Sequence, residues 1–335
     1  MRCSKRWVFL VFLGVLSACS ERTVPLDVSR TEVVRELAAR VDPGRLMARV
    51  QRLIDARRYE IPFDCARLPQ GVDPLFCHLT RERLRELLES GFREAGLEVK
   101  HQAEASGDFP TYNVVAELPG TSHPERIILV GAHYDAFHDG ADDNTSGVAT
   151  LLELAEVLGS ERFASTVRFV AFDHEELGLV GSTRYVGSGA ASDVVLALIL
   201  DCVGFYSTEP GSQMSLPGLP SPDTGDFLAA IANDASARYA VELAALGRHL
   251  DSAKVVPLVS PGEGLAPLVG DLTRSDHTPF WLAGGTALFL TDTASFRNPH
   301  YHKESDTLDT LNPVLFGRTV QLLAGAVAYW AERAP

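Results

Sequence analysis

The chain is short of positive charge: 30 Lys and Arg stand against 44 Asp and Glu in 335 residues, a net charge of −14. That shortage excludes a surface built to grip nucleic acid or anionic headgroups, and the acid excess favours cations. Cysteine is scarce, with five in all. No internal repeat is apparent, which sets solenoids and propellers aside. The apolar run near the amino terminus, Trp7 to Leu16, has ten residues and is too short to span a bilayer. What remains is ordinary for a globular protein: 46% hydrophobic and 22% charged residues, in a length that suits one large α/β domain or two modest ones.

The amino terminus reads as an address and not as part of the fold. Arg2, Lys5 and Arg6 precede the apolar run, and Leu16-Ser17-Ala18-Cys19 resembles a bacterial lipobox. On that resemblance residues 1–18 are a signal peptide, Cys19 carries lipid and residues 19–30 are a tether to a bacterial membrane. Ser20 in place of Asp favours the outer membrane, facing the periplasm. Losing the signal leaves 44 acids against 27 bases, a net −17. Export to an oxidising compartment predicts a disulfide between Cys65 and Cys77, which share a loop with Pro62, Pro69, Gly71 and Pro74. Closing that loop would stabilise by about 2–3 kcal/mol. Cys202 ends an apolar run and is expected to face the interior.

The pattern of the chain centres on Ile127 to Leu158. Ile127 to Val130 reads as a buried strand, and His133, Asp135, Asp142 and Asp143 follow in one loop. Thr145 is expected to cap a helix with Val148, Leu151, Leu152, Ala155 and Leu158 on its apolar face. Further strands are predicted at 97–100, 113–118, 166–172, 194–200 and 286–290. Helices are predicted across 31–57 with a break at Pro43–Gly44, up to Gly96, over 177–185, around 226–239, briefly after Ser275-Asp276-His277, and after Asn312–Pro313. Residues 207–224 and 255–273 read as loops, and 207–273 as a lid or specificity insertion in one domain spanning 31–335. Alternating strands and helices predict an α/β fold with a mixed, mostly parallel sheet and helices on both faces. In such sheets ligands gather at the carboxyl ends of the strands.

Chemistry-bearing residues stand at those ends and in one late loop: His133, Asp143, Glu176, Asp201 and His302. Two imidazoles and three carboxylates, with no thiolate, suit zinc, cobalt or manganese. Five ligands exceed the three of a usual catalytic zinc and would serve two ions if one carboxylate bridges. The segments GAHYD, GADDNTSG, FDHEELGLVGS, VVLALILD, SDHTPF and YHKESDT occur in this order. Together they resemble the co-catalytic zinc aminopeptidases, whose relatives include glutamate carboxypeptidases and glutaminyl cyclases. The resemblance covers roughly Asn113 to Thr310 and implies a zinc-exopeptidase fold of the phosphorylase/hydrolase type.

It further implies that two Zn2+ ions bind per chain. His133 and Asp201 would hold one, Glu176 and His302 the other, and Asp143, four residues before Gly147, would bridge them. Asp142 becomes a loop residue or a support. Glu175 matches the general base, acting on a hydroxide held between the ions. Asp135 matches the carboxylate that orients His133, and Tyr301 a phenol that meets the tetrahedral oxyanion. Asp276 and His277 would support the site through hydrogen bonds. His138, Asp139, Asp173 and His174 match nothing and are expected in solvent. The reading is an aminopeptidase acting on peptide substrates. Its rivals are a glutaminyl cyclase, a metallocarboxypeptidase and a non-catalytic peptide-binding relative. Cyclases carry segments resembling GATDSA and WHTMDD where this chain has GADDNTSG and YHKESDT. Side-chain preference and oligomeric state stay open.

Overall fold

The computed structural model describes residues 26–27, 30–59, 78–104, 110–215, 222–260 and 267–333. The expected signal peptide, Cys19, most of the tether and the Cys65–Cys77 pair lie outside the described residues.

Eight strands form one sheet: β1 (Glu98–Glu104), β2 (Thr111–Leu118), β3 (His123–His133), β4 (Ser165–Phe172), β5 (Val194–Leu200), β6 (Phe227–Ala232), β7 (Lys254–Val259) and β8 (Ala287–Thr291). Their order across the sheet is β1-β2-β4-β3-β5-β8-β6-β7. The central strands β4, β3, β5 and β8 are parallel, as are β6 and β7, while β1–β2, β2–β4 and β6–β8 pair antiparallel. Central strands covered on both faces need apolar residues at nearly every position, which is why runs such as IILV in β3 and FVAF in β4 dominate them in place of strict alternation. Leu129 of β3 faces one core and its neighbours Ile128 and Val130 face the other. Gly131 on the same strand has no room for more: an added Cβ would lie 2.6 Å from the Phe172 ring.

The larger core lies under α1 (Thr31–Ala39), α2 (Pro43–Tyr59), α3 (His78–Glu94), α4 (Gly147–Leu158), α6 (Ala237–Leu250) and α8 (Pro313–Ala331). The smaller one holds residues of α5 (Val180–Gly187) and α7 (Thr278–Leu282). The fold is therefore mixed α/β, with helices on both faces of one sheet. Pro43 opens α2 where the break was expected, and the Asn312 side chain caps α8 by accepting from Leu315 N–H at 3.1 Å.

Three expectations are corrected. Residues 226–239 are not one helix: Phe227 to Ala232 are a strand, and α6 starts at Ala237. Ala and Leu favour helix locally, but an apolar run this short goes where sheet neighbours can cover it. Within 207–273, β6 and β7 belong to the main sheet and α6 packs on it. Residues 255–259, expected in a loop, belong to β7, and Pro257 fits there because β7 is at the sheet edge, where a missing N–H is tolerated. Thr145 does not cap α4, which starts two residues later; its hydroxyl accepts from Arg57 Nη1 at 2.9 Å.

Candidate metal centre

β3 ends at His133, β4 runs into Asp173–Glu176 and β5 into Asp201, so three parallel strands deliver their polar residues to one edge. The loop after β3 supplies Asp143, and a long loop after β8 supplies Tyr301 and His302. The ligand atoms of His133, Asp143 and Asp201 lie within 4.8 Å of one another, and so do those of Asp143, Glu176 and His302. Asp143 belongs to both groups. Its Oδ1 is 3.4 Å from His133 Nε2 and its Oδ2 is 2.9 Å from His302 Nε2. His133 Nε2 is also 3.4 Å from Asp201 Oδ1, and His302 Nε2 is 3.3 Å from Glu176 Oε2. All five expected ligands meet in one place. His133, Glu175 and Glu176 form a third close group.

These donors fit cations better than they fit one another. Among the described residues His133 Nε2, Asp143 Oδ2, Glu176 Oε1 and His302 Nε2 are buried without a hydrogen bond of good geometry. Burial penalises the charge of Glu176 and, with Asp143 nearby, pushes its pKa up to about 8. Burial would lower His302, but Asp143 and Glu176 overcome it and raise it to about 10. His133 rises for the same reason, with burial opposed by Glu175 and Asp201. Burial would raise Asp143, and the two histidines against its oxygens hold it low instead. Protons thus collect where two divalent ions would neutralise the same carboxylates. His133, Asp143 and Asp201 would hold one ion, and Asp143, Glu176 and His302 the other.

Glu175 is 8% exposed, and burial together with Asp201, Asp276 and Glu176 raises its pKa well above the carboxylate range, though His133 pulls it back. Tyr301 stacks on His302 with ring centroids 3.9 Å apart and lines the cleft with Glu175 and Glu176. Burial and Asp143 keep its phenol protonated. The Asp135 carboxylate is 3.5 Å from His133 Nδ1, while the backbone carbonyl of Asp135 is nearer, at 2.9 Å. The carboxylate also takes the backbone N–H groups of Glu175 and Glu176.

The loop carrying Asp143 is fixed from several sides. Gly140 has φ +49, and a Cβ there would lie 2.4 Å from the Asp143 carbonyl oxygen. The Asp143–Asn144 peptide is cis. Asp306 accepts from Asp142 N–H at 3.1 Å and Asp143 N–H at 3.1 Å. Asp142 points away from the donors and accepts from Gly204 N–H at 2.9 Å and Asn298 Nδ2 at 2.8 Å. Arg57 reaches up from α2 and donates to the carbonyls of Asp139 and Tyr134 as well as to Thr145.

Asp306 and Arg57 were missed in the sequence. Asp306 sits inside YHKESDT without a distinctive type. Arg57 did carry a signal: it continues the buried stripe Leu46, Val50 and Ile54 of α2, where a surface arginine would not stand. Asp173 and His174, expected in solvent, are 0% and 2% exposed. Asp173 is buried because Arg81 Nε of α3 lies 3.1 Å away and Tyr112 N–H donates to it at 3.0 Å. Asp139 is buried as well, and His138 is exposed. His277 bonds the Leu272 carbonyl at 2.9 Å and not a ligand residue.

A covered mixed sheet with clustered imidazole and carboxylate donors at its strand ends is the setting of a metal-dependent hydrolase. The model of peptidase family M28 matches residues 113–327. The chain is 33% identical over 265 residues to the uncharacterized protein YfbL of Escherichia coli K12, covering 73% of this chain and 78% of that one. It is 30% identical over 213 residues to aminopeptidase YwaD of Bacillus subtilis, covering 61% of this chain but only 41% of that relative. In fold it is similar to the LapA aminopeptidase of Legionella pneumophila, with a TM-score of 0.69 at 18% identity over 94% of this chain and 79% of that one. The chain belongs to peptidase family M28 and is a metallopeptidase.

Proposed function

We propose that this chain is an exported, lipid-anchored zinc aminopeptidase that removes the N-terminal residue of peptides in the periplasm. The observation that carries the reading is Asp143, whose two oxygens face one histidine each, His133 and His302. Zinc in the two clusters would polarise the scissile carbonyl and acidify the attacking water. Glu175 takes the proton of that water and passes it to the leaving amine. Its buried position favours the protonated form between those two events. Tyr301 donates its phenolic proton in a hydrogen bond to the oxygen that gains charge. Asp135 holds the Glu175–Glu176 turn so that base and ligand face the same cleft. The acidic cleft also suits a free, cationic N-terminus, which favours an aminopeptidase over a carboxypeptidase. Residues 31–335 act as one catalytic domain, and lipid on Cys19 anchors it.

The test is an assay of the chain from Ser20 onward on aminoacyl anilides, with and without chelator, beside an N-terminal Gln substrate for cyclisation. Chelator-sensitive anilide hydrolysis is expected. Cyclisation without hydrolysis would sink the assignment. Glu175→Gln should keep zinc while losing about 10²–10⁴-fold in kcat. Loss of zinc instead would mean that base and ligand are reversed.

A further inference from the structure

A cavity of about 610 Å³ lies at the amino ends of β5 and β8 and beside Arg126 of β3, on the opposite edge of the sheet from the donor clusters. Val194 and Val195 open β5 there, while Asp201 follows its other end, roughly 20 Å away along the strand. The turns after α5 and α7 form part of the wall. Gly189 at φ +83 and Gly284 at φ +75 lie in them, and a Cβ on either would meet nothing within 4 Å. Tyr239 and Phe280 supply aromatic surface.

The charged residues lining this cavity are two arginines, Arg126 and Arg238, with no Asp or Glu beside them. That is the exception in a chain with 44 acids and 30 bases. Arg40, Arg45, Arg168 and Arg333 each hold a carboxylate, at distances from 2.5 to 2.9 Å. Arg126 pairs with no carboxylate among the described residues, and its Nε is buried without a hydrogen-bond partner. A buried donor without an acceptor carries a cost that a bound anion would remove. The pairing of β3 with β4 is irregular between His123 and Ile127, and such bulges re-aim the side chains within them. Arg238 stands 4.5 Å over the Tyr239 ring and donates to the Tyr239 hydroxyl at 2.6 Å. That contact holds the fork in place while spending one of its five N–H groups. Arg238 also lies in the first turn of α6, where the helix dipole adds positive potential.

We propose that this cavity binds a small organic anion, a carboxylate or phosphate carried on an apolar or aromatic body, with Arg126 and Arg238 receiving the charge. Guanidinium forks match the oxygens of either group, and the rings and valines beside them match the body. The net charge of −14 opposes docking on an anionic membrane surface, so the ligand is a soluble molecule. The proposal does not depend on the peptidase reading, because the site and the donor clusters share no residue.

Phenyl phosphate and benzoate are the probes, titrated by calorimetry into the zinc-loaded chain from Ser20 onward and into the same chain with chelator. Chelation removes binding through zinc at the donor clusters, so binding that survives it belongs elsewhere. Expected is one chelator-insensitive site per chain for at least one probe, weakened about tenfold or more in Arg126→Met and in Arg238→Met. Inorganic phosphate and benzyl alcohol should each bind about tenfold more weakly than the better probe. Arg126→Met loses no protein partner and should melt with the parent; if it misfolds, Arg238→Met decides. Absence of chelator-insensitive binding, or equal affinity in the parent and the folded variants, overturns the proposal. Benzyl alcohol bound as tightly as the anions overturns the role of charge, and inorganic phosphate bound as tightly overturns that of the apolar body.

Discussion

The Asp135 carboxylate grips both members of the Glu175–Glu176 pair by their backbone, Oδ1 accepting from Glu175 N–H and Oδ2 from Glu176 N–H, each at 3.1 Å. One side chain after β3 thereby sets the turn after β4. Its 3.5 Å approach to His133 Nδ1 is the longer contact. Asp135→Asn keeps one acceptor and turns an N–H donor toward a backbone N–H. It should weaken zinc binding about 10–100-fold and lower kcat with it. Competition with a chelating dye measures the first and anilide turnover the second. Unchanged zinc affinity would show that the clamp does not position the ligands.

Arg57 offers a second, independent handle on the same loop. It is 4% exposed, and although burial lowers its pKa to about 10 it stays charged at neutral pH, facing Asp135, Asp139, Asp306 and Asp143. Arg57→Met would leave the Asp139 and Tyr134 carbonyls unserved and the carboxylates uncompensated. A loss of about 3–5 kcal/mol in denaturant unfolding is expected. Arg57→Lys keeps the charge, but one ammonium cannot serve three acceptors in the geometry of a planar fork, so it should fall between. Equal stability of the Met variant and the parent would remove the role assigned here.

These two residues mark what could be read from the chain and what could not. His133, Glu175, Glu176 and Asp201 each stand within a few residues of an apolar strand end, so local pattern placed them at the site edge. Asp143 was told from its neighbour Asp142 only by the family resemblance, counting back from Gly147. Arg57 acts across 82 residues on Asp139, and Asp306 across 163 on Asp143. Their roles depend on α2 and the last loop converging on one turn, which no window of sequence contains. The misread Phe227 to Ala232 has the same origin. Its alternate residues divide between two cores, and only the sheet order shows that both exist.

His277 links stability to pH. It is fully buried, stacked on Phe289 at 4.5 Å and set edge-on to Trp281 at 4.4 Å. Burial lowers its pKa to about 3, while the Leu272 carbonyl opposes that shift. The unfolded chain takes up this proton near pH 6.5, and the folded chain does not until near 3. Stability from this group is therefore full above about pH 6.5 and is lost as pH falls toward 3. Between pH 7 and pH 5 the parent should lose about 2 kcal/mol that His277→Leu does not lose, read from denaturant midpoints of both proteins. Parallel pH profiles would show that the imidazole is not kept neutral by the fold.

The shared carboxylate makes the metal content of variants unequal. If Asp143 bridges, His302→Ala should bind one zinc per chain and retain the His133–Asp201 position, and His133→Ala should do the reverse. Asp143→Ala should weaken both, though it removes a single side chain. The metal-free site also carries protons that must leave. Glu176, raised to about 8, and His302, raised to about 10, both gain protons on folding, so their stabilisation of the metal-free chain is present at low pH. That of Glu176 is lost as pH climbs from about 4.5 through 8, and that of His302 from about 6.5 through 10. Zinc binding reverses the trend, because it competes with those protons and tightens as they dissociate. The rise in Tm on adding zinc to chelated protein should hence be larger at pH 8 than at pH 6. At a free zinc concentration 100 times Kd the stabilisation per site is about 2.7 kcal/mol. Plasma-emission metal analysis of the three variants and paired melts at the two pH values check both parts. Full occupancy of two ions in Asp143→Ala would mean that the two clusters bind zinc independently, with no bridge between them.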